Sequence, residues 1–126
     1  PMSDDLLINN NYLKRIYCFI SNRNIKLLDL KNNKLKSLKD SCVLTSDKES
    51  FYSIEFFYLS NNLLTEIKVD DFSNLIHLVE LDLSINNLSQ INSNAFKDLK
   101  LLKYLNLSFN KLELLERNLT KTLTNL

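Results

Sequence analysis

Glycine is absent from all 126 residues. Turns that need a positive φ are thereby denied their usual residue, and Asn is the side chain best able to take its place. A glycine-rich phosphate loop is excluded outright. Neither sign of charge dominates: 16 Lys and Arg face 15 Asp and Glu, for a net charge of +1. No global field therefore draws a polyanion or an anionic membrane, and the sequence predicts no nucleic-acid partner. The longest apolar runs are only a few residues, far short of a membrane-spanning helix. Histidine occurs once and cysteine twice, widely separated, which does not resemble a zinc site. With no catalytic constellation either, the expectation is a chain without enzymatic activity, metal or cofactor. The remaining composition, 44% hydrophobic and 25% charged, is that of one globular domain.

What the sequence does contain is a period. Ile54, Leu78, Leu102 and Leu126 are spaced by 24 residues. From each of the first three, apolar residues recur at the same offsets and an Asn follows them. The third repeat reads Ile54, Phe57, Leu59, Asn62, Leu64 and Ile67; the fourth reads Leu78, Leu81, Leu83, Asn86, Leu88 and Ile91. The fifth reads Leu102, Leu105, Leu107, Asn110, Leu112 and Leu115, and the frame runs back through Ile25, Leu28, Leu30 and Asn33 to a degenerate first repeat around Asn11. The predicted domain is the whole chain, 1–126, with repeats near 3–24, 25–53, 54–77, 78–101 and 102–125. The first step is two residues short and the second five too long, the excess lying in the polar stretch 41–50.

Repeats of this LxxLxLxxNxL type are leucine-rich repeats, and the spacing has a physical reading. The alternating xLxL stretch makes a short strand with one face buried. Successive turns lay these strands side by side, predicting an α/β-type solenoid with a parallel concave sheet and an irregular or short-helical convex side. Asn11, Asn33, Asn62, Asn86 and Asn110 would form a ladder, each amide satisfying backbone groups where the chain leaves its strand. Phe72 and Phe96 fall at one shared offset, with Leu75 and Leu99 three residues on, and predict a stacked core on the convex side. Cys18 and Cys42 occupy nearly equal positions of neighbouring repeats, within bridging reach of each other. A disulfide and two buried thiols both fit.

The outward columns of the concave sheet carry large apolar side chains, where a solvated strand face is normally polar. Leu27, Phe56, Tyr58, Ile85, Tyr104 and Phe109 stand there with Asp82, other acids and a few Lys. Aromatic anchors among charges are the composition of a protein-binding surface, so these seven residues are the candidate partner site. Cross-strand stacking along the sheet is the simpler alternative for Phe56 and Tyr104. Three sequons, at Asn87, Asn106 and Asn118, are candidate glycan acceptors. Eight basic residues between Lys14 and Lys39 admit glycan or lipid-headgroup binding as an alternative, though they occupy different repeat positions and do not converge. Pro1-Met2 reads as a vector-derived start, and Leu126 opens a further repeat. The expectation is therefore a piece of a longer protein, or a coil whose open end pairs with a second copy of itself.

The regular part, VDDFSNLIHLVELDLSINNLSQINSNAFKDLKLLKYLNLSFNKL, resembles extracellular animal repeats such as those of Toll-like ectodomains, lamprey variable lymphocyte receptors and small proteoglycans. The irregular front, NNNYLKRIYCFISNRNIKLLDLKNNKLKSLKDSC, resembles insect leucine-rich-repeat immune proteins of the LRIM type. That resemblance implies a Cys18–Cys42 disulfide and secretion. The coiled coil and C-terminal cysteine cap of that family are missing from these residues, so its dimerisation and partner do not carry over. The combined expectation is a secreted, non-enzymatic protein-binding module, immune-related or a secreted effector.

Overall fold

The computed structural model describes residues 5–10, 25–38, 53–73 and 75–113. Five three-residue strands, β1 (Asp5–Leu7), β2 (Leu27–Asp29), β3 (Phe56–Tyr58), β5 (Glu80–Asp82) and β7 (Tyr104–Asn106), form one parallel sheet in chain order. A second parallel pair, β4 (Glu66–Ile67) with β6 (Gln90–Ile91), lies on the returning side of the coil. Asp5 pairs with Leu27, Leu27 with Phe56, Phe56 with Glu80 and Glu80 with Tyr104. Every parallel partner is thus one whole repeat away. Parallel neighbours need a crossover; from β3 to β5 and from β5 to β7 it is one turn of the coil.

Strands β2, β3 and β5 point their middle residues inward. Leu28, Phe57 and Leu81 are fully buried, as are Leu30, Leu59 and Leu83 two positions on. Leu64, Leu88, Phe72, Phe96, Leu75 and Leu99 close the same core from the other sides. Among the described residues the convex side contains turns and no helix, so of the two expected forms it takes the irregular one. Tight backbone bonds across three residues build it, as from Leu75 N–H to the Phe72 carbonyl and from Leu99 N–H to the Phe96 carbonyl. These turns aim Phe72 inward, edge-on to Phe57 at 6.3 Å between centroids and stacked on Phe96 at 5.9 Å.

The inner Asn side chains join one repeat to the next. Asn62 Nδ2 donates to the Leu30 and Leu59 carbonyls, both at 3.0 Å, while its Oδ1 accepts from Leu35 N–H at 3.1 Å. Asn86 repeats this with Leu59, Leu83 and Leu64, and Asn110 with Leu83, Leu107 and Leu88. Asn33 donates to the Ile8 and Leu30 carbonyls. Each amide thus satisfies backbone groups of two repeats that no strand ladder reaches. Asn11 lies outside the described residues, as do Cys18, Cys42 and Asn118.

One acid is spent on the fold. Asp71, buried at the start of a convex turn, accepts the Lys68 N–H at 2.8 Å through Oδ2. Burial raises its pKa above the ordinary carboxylate value, against the opposing pull of that hydrogen bond and of the Lys68 charge. A carboxyl with a raised folded pKa contributes stability that is present at low pH and lost as pH rises through the folded pKa. Asp71→Asn keeps an acceptor for Lys68 and removes the buried charge. Its melting temperature relative to wild type is therefore expected to rise between acid and neutral pH, and a pH-independent difference would contradict the assignment.

Candidate functional site

Parallel pairing in register turns the outward strand positions into columns. One column runs Asp5, Leu27, Phe56, Glu80, Tyr104, and the next runs Leu7, Asp29, Tyr58, Asp82, Asn106. Of the seven candidate residues, Leu27, Phe56 and Tyr104 thus share the first column, and Tyr58 and Asp82 the second. Leu27, Phe56, Tyr58 and Asp82 are half-buried between their neighbours, whereas Tyr104 on β7 is 65% exposed. The half-buried group is consistent with the cross-strand stacking alternative for Phe56; Tyr104, on the edge strand β7, has a strand neighbour on one side only.

The second column is held by short side chain to backbone bonds. Asp82 Oδ1 accepts from Ser84 N–H at 2.9 Å and from Ser84 Oγ–H at 2.7 Å. Asn106 does the same with Ser108, at 3.0 and 2.7 Å. Asp29 caps Lys31 N–H through Oδ1 and takes Asn9 Nδ2 on Oδ2, with the Lys31 ammonium 3.7 Å away. That ammonium also lies 5.5 Å from the Tyr58 ring centroid, a cation–π contact. Burial raises the Tyr58 phenol pKa above the ordinary tyrosine value, helped by the charges of Glu80, Asp29 and Asp82. Tyr58 accordingly presents a neutral hydroxyl, a hydrogen-bond donor amid carboxylates, throughout the physiological range.

The last two candidates stand just past the strands, in a third column made by the residues that precede the inner Asn positions. Asn10, Asn32, Asn61, Ile85 and Phe109 all adopt left-handed backbone, with φ between 53° and 60°. This is where the missing glycine would have sat. Asn fills it three times, and the side chains bond in series: Asn32 Nδ2 to Asn10 Oδ1 at 2.6 Å and Asn61 Nδ2 to Asn32 Oδ1 at 2.8 Å. Sequence reasoning missed this outer ladder, although the doublets Asn32-Asn33 and Asn61-Asn62 carry its signal. At the fourth and fifth positions stand Ile85, 50% exposed, and Phe109, 81% exposed. A side chain with a Cβ costs about 1–2 kcal/mol in this conformation, and a β-branched one is the least suited to it.

A depression of about 400 Å³ opens on the sheet face between β5 and β7, lined by Glu80, Asp82, Lys103, Tyr104 and Asn106 with Leu81 and Leu105. Asn106, a candidate glycan acceptor, is exposed inside this face; Asn87, half-buried, is outside it. Among the described residues no three His, Cys, Asp or Glu gather as a metal site, and no helix is long and apolar enough to cross a membrane.

Residues 53–112 match the family described as Leucine rich repeat. No curated protein sequence matches this one significantly. Among solved structures the chain is similar to TLR13 in the TLR13–ssRNA13 complex, with 27% identity over 81% of this chain and a TM-score of 0.68. It is also similar to chains of the Toll–Spatzle complex, described as a molecular hub in Drosophila development and innate immunity. The glycosylated form gives 32% identity over 84% of this chain and a TM-score of 0.69; another structure of that complex gives 32% over 91% and 0.70. The chain spans only 14% to 15% of the length of those proteins.

Proposed function

We propose that this leucine-rich-repeat solenoid is a secreted, immune-related binding module, or a secreted effector, that takes a protein partner on the outer face of its five-stranded sheet. The observation that carries the reading is Tyr104, exposed on β7 with Glu80 and Asp82 of β5 beside it, an aromatic anchor among charges on the outer sheet face. The solved relatives do not choose the ligand class between them, since one is in complex with RNA and the other is the Toll–Spatzle complex. Charge favours protein. The outward columns carry Asp5, Asp29, Glu80 and Asp82, whereas a nucleic-acid face needs Lys and Arg to neutralise phosphates.

The test uses a photo-crosslinking residue at Tyr104, with one at exposed Lys97 on the convex side as control, in extracellular fluid of the organism that makes the protein. A discrete protein adduct at Tyr104 and none at Lys97 supports the reading; adducts on the convex side alone, or to RNA, overturn it. With the captured protein, Tyr58→Ala and Tyr104→Ala are each expected to weaken binding by about 2 kcal/mol, roughly 30-fold. Tyr104→Ala leaves the melting temperature unchanged, because its ring is outside the core. Tyr58→Ala lowers stability by up to about 1 kcal/mol, since it gives up half-burial and its contact with Lys31. A concentration-dependent dimer by light scattering, indifferent to both changes, would move the function to the end of the coil.

A further inference from the structure

The third column contains a departure that folding does not explain. Asn10, Asn32 and Asn61 show what this position prefers: a residue that tolerates left-handed backbone and bonds to the next in series. Ile85 and Phe109 hold the same backbone, joined to each other by the bond from Ile85 N–H to the Ser108 carbonyl at 3.0 Å. Neither gains burial in exchange for the strained conformation, because both are exposed. Asn at the two positions would relieve the strain, remove apolar surface from water and extend the outer ladder across all five repeats. Strain held at exposed apolar residues points to a use outside the fold.

We propose that Ile85 and Phe109 form an apolar clamp for an extended partner segment that sets a Lys or Arg side chain beside a bulky apolar one. The clamp stands at the C-terminal ends of β5 and β7, the two strands that line the depression on the sheet face. In that depression two carboxylates, Glu80 and Asp82, face one ammonium, Lys103. Asp82 Oδ1 is occupied by Ser84, which leaves Oδ2 for a donor from outside. The ion pairs among the described residues are Lys31–Asp29 and Lys68–Glu66, so neither Glu80 nor Asp82 is neutralised in one. A cationic side chain of the partner would lie over these acids while its apolar neighbour packs against Ile85, Phe109 and Tyr104. This inference rests on the sheet face being a protein-binding surface and deepens that reading by naming the partner's chemistry and where it seats.

The test is the double substitution Ile85→Asn with Phe109→Asn in the full chain. Its melting temperature is expected to rise by several degrees, because strain is relieved and the ladder lengthened. The probe is a fluorescent synthetic peptide of alternating Arg and Leu, with Glu–Leu and Arg–Ser peptides as controls. Wild type is expected to bind the Arg–Leu peptide in preference to both controls, and the double variant to bind it about tenfold more weakly or worse. Glu80→Gln with Asp82→Asn is expected to weaken it too and to flatten its salt dependence. A lower melting temperature in the Asn variant would make the pair structural and overturn the proposal. So would an Arg–Leu peptide that fails to bind, or that binds wild type and variant alike. In that event intact effects at Tyr58 and Tyr104 would leave the wider reading of the face standing. Preferential binding of oligouridine would overturn both.

Discussion

Phe72→Ala is expected to lower the unfolding free energy by about 3–5 kcal/mol, the cost of deleting a fully buried ring and leaving a cavity. Position carries the effect beyond the site itself. Phe72 lies in the third repeat, edge-on to Phe57 of the same repeat and stacked on Phe96 of the next. Each ring pair contributes about 0.5–1.5 kcal/mol beyond the area it buries, so a double-mutant cycle between Phe72 and Phe96 should return a coupling of that size. The loss also falls on an interface between repeats. In a coil each repeat contacts only its neighbours, and cooperativity is the sum of those contacts. Urea unfolding of Phe72→Ala is therefore expected to show a lower midpoint and a shallower slope, as the coil begins to unfold on either side of the weakened junction. An unchanged slope with a small shift in midpoint would mean that the rings merely fill space. The conservative Phe72→Leu keeps an apolar side chain in the site and should recover much of the loss.

That spine was legible in the sequence because Phe72 and Phe96 share one offset within a fixed period. The strands of the regular repeats, β3, β5 and β7, were legible for the same reason: a buried-exposed alternation anchored every 24 residues leaves no freedom of register. Other features had no such signal. The pairing of β4 with β6 involves two residues per strand, too few to show an alternation, and arises because the main sheet already fixes the distance between repeats. The burial of Asp71 was invisible, since acids before a turn are ordinarily solvated. The left-handed conformation at Ile85 and Phe109 could not be read from Ile or Phe at all. It follows only from the column they share with Asn10, Asn32 and Asn61, which the parallel sheet brings into line. The candidate binding residues were found as a set by their outward positions. Their division into half-buried Leu27, Phe56, Tyr58 and Asp82 and exposed Ile85, Tyr104 and Phe109 needed the neighbours on each side.

The inner Asn ladder yields the other large effect, and it separates two adjacent asparagines by chemistry. Asn86 is buried; its Nδ2 donates to the carbonyls of Leu59, Leu83 and Ser84, each at 3.1 Å, and its Oδ1 accepts from Leu64 N–H. Asn86→Ala removes all of these bonds and should cost about 1–3 kcal/mol, because backbone groups of two repeats are left without partners. Asn86→Asp is nearly isosteric and should cost more, about 3–5 kcal/mol at neutral pH, since it sets an unpaired carboxylate against three carbonyl oxygens. The only inexpensive response is to take up a proton, which restores one donated bond. The introduced carboxyl therefore has a folded pKa above the ordinary range, and its penalty grows as pH rises through that value. Relative to wild type, Asn86→Asp should be least destabilised near pH 4, about the unfolded carboxylate pKa, and most destabilised near pH 7. Asn87→Asp, one residue on, touches a half-buried side chain whose main-chain N–H keeps its bond to the Leu64 carbonyl at 2.8 Å. In unglycosylated protein it should be near neutral at both pH values. Urea titrations of the two variants at the two pH values give four differences, and equal losses at Asn86 and Asn87 would show that the ladder does not hold the repeats together.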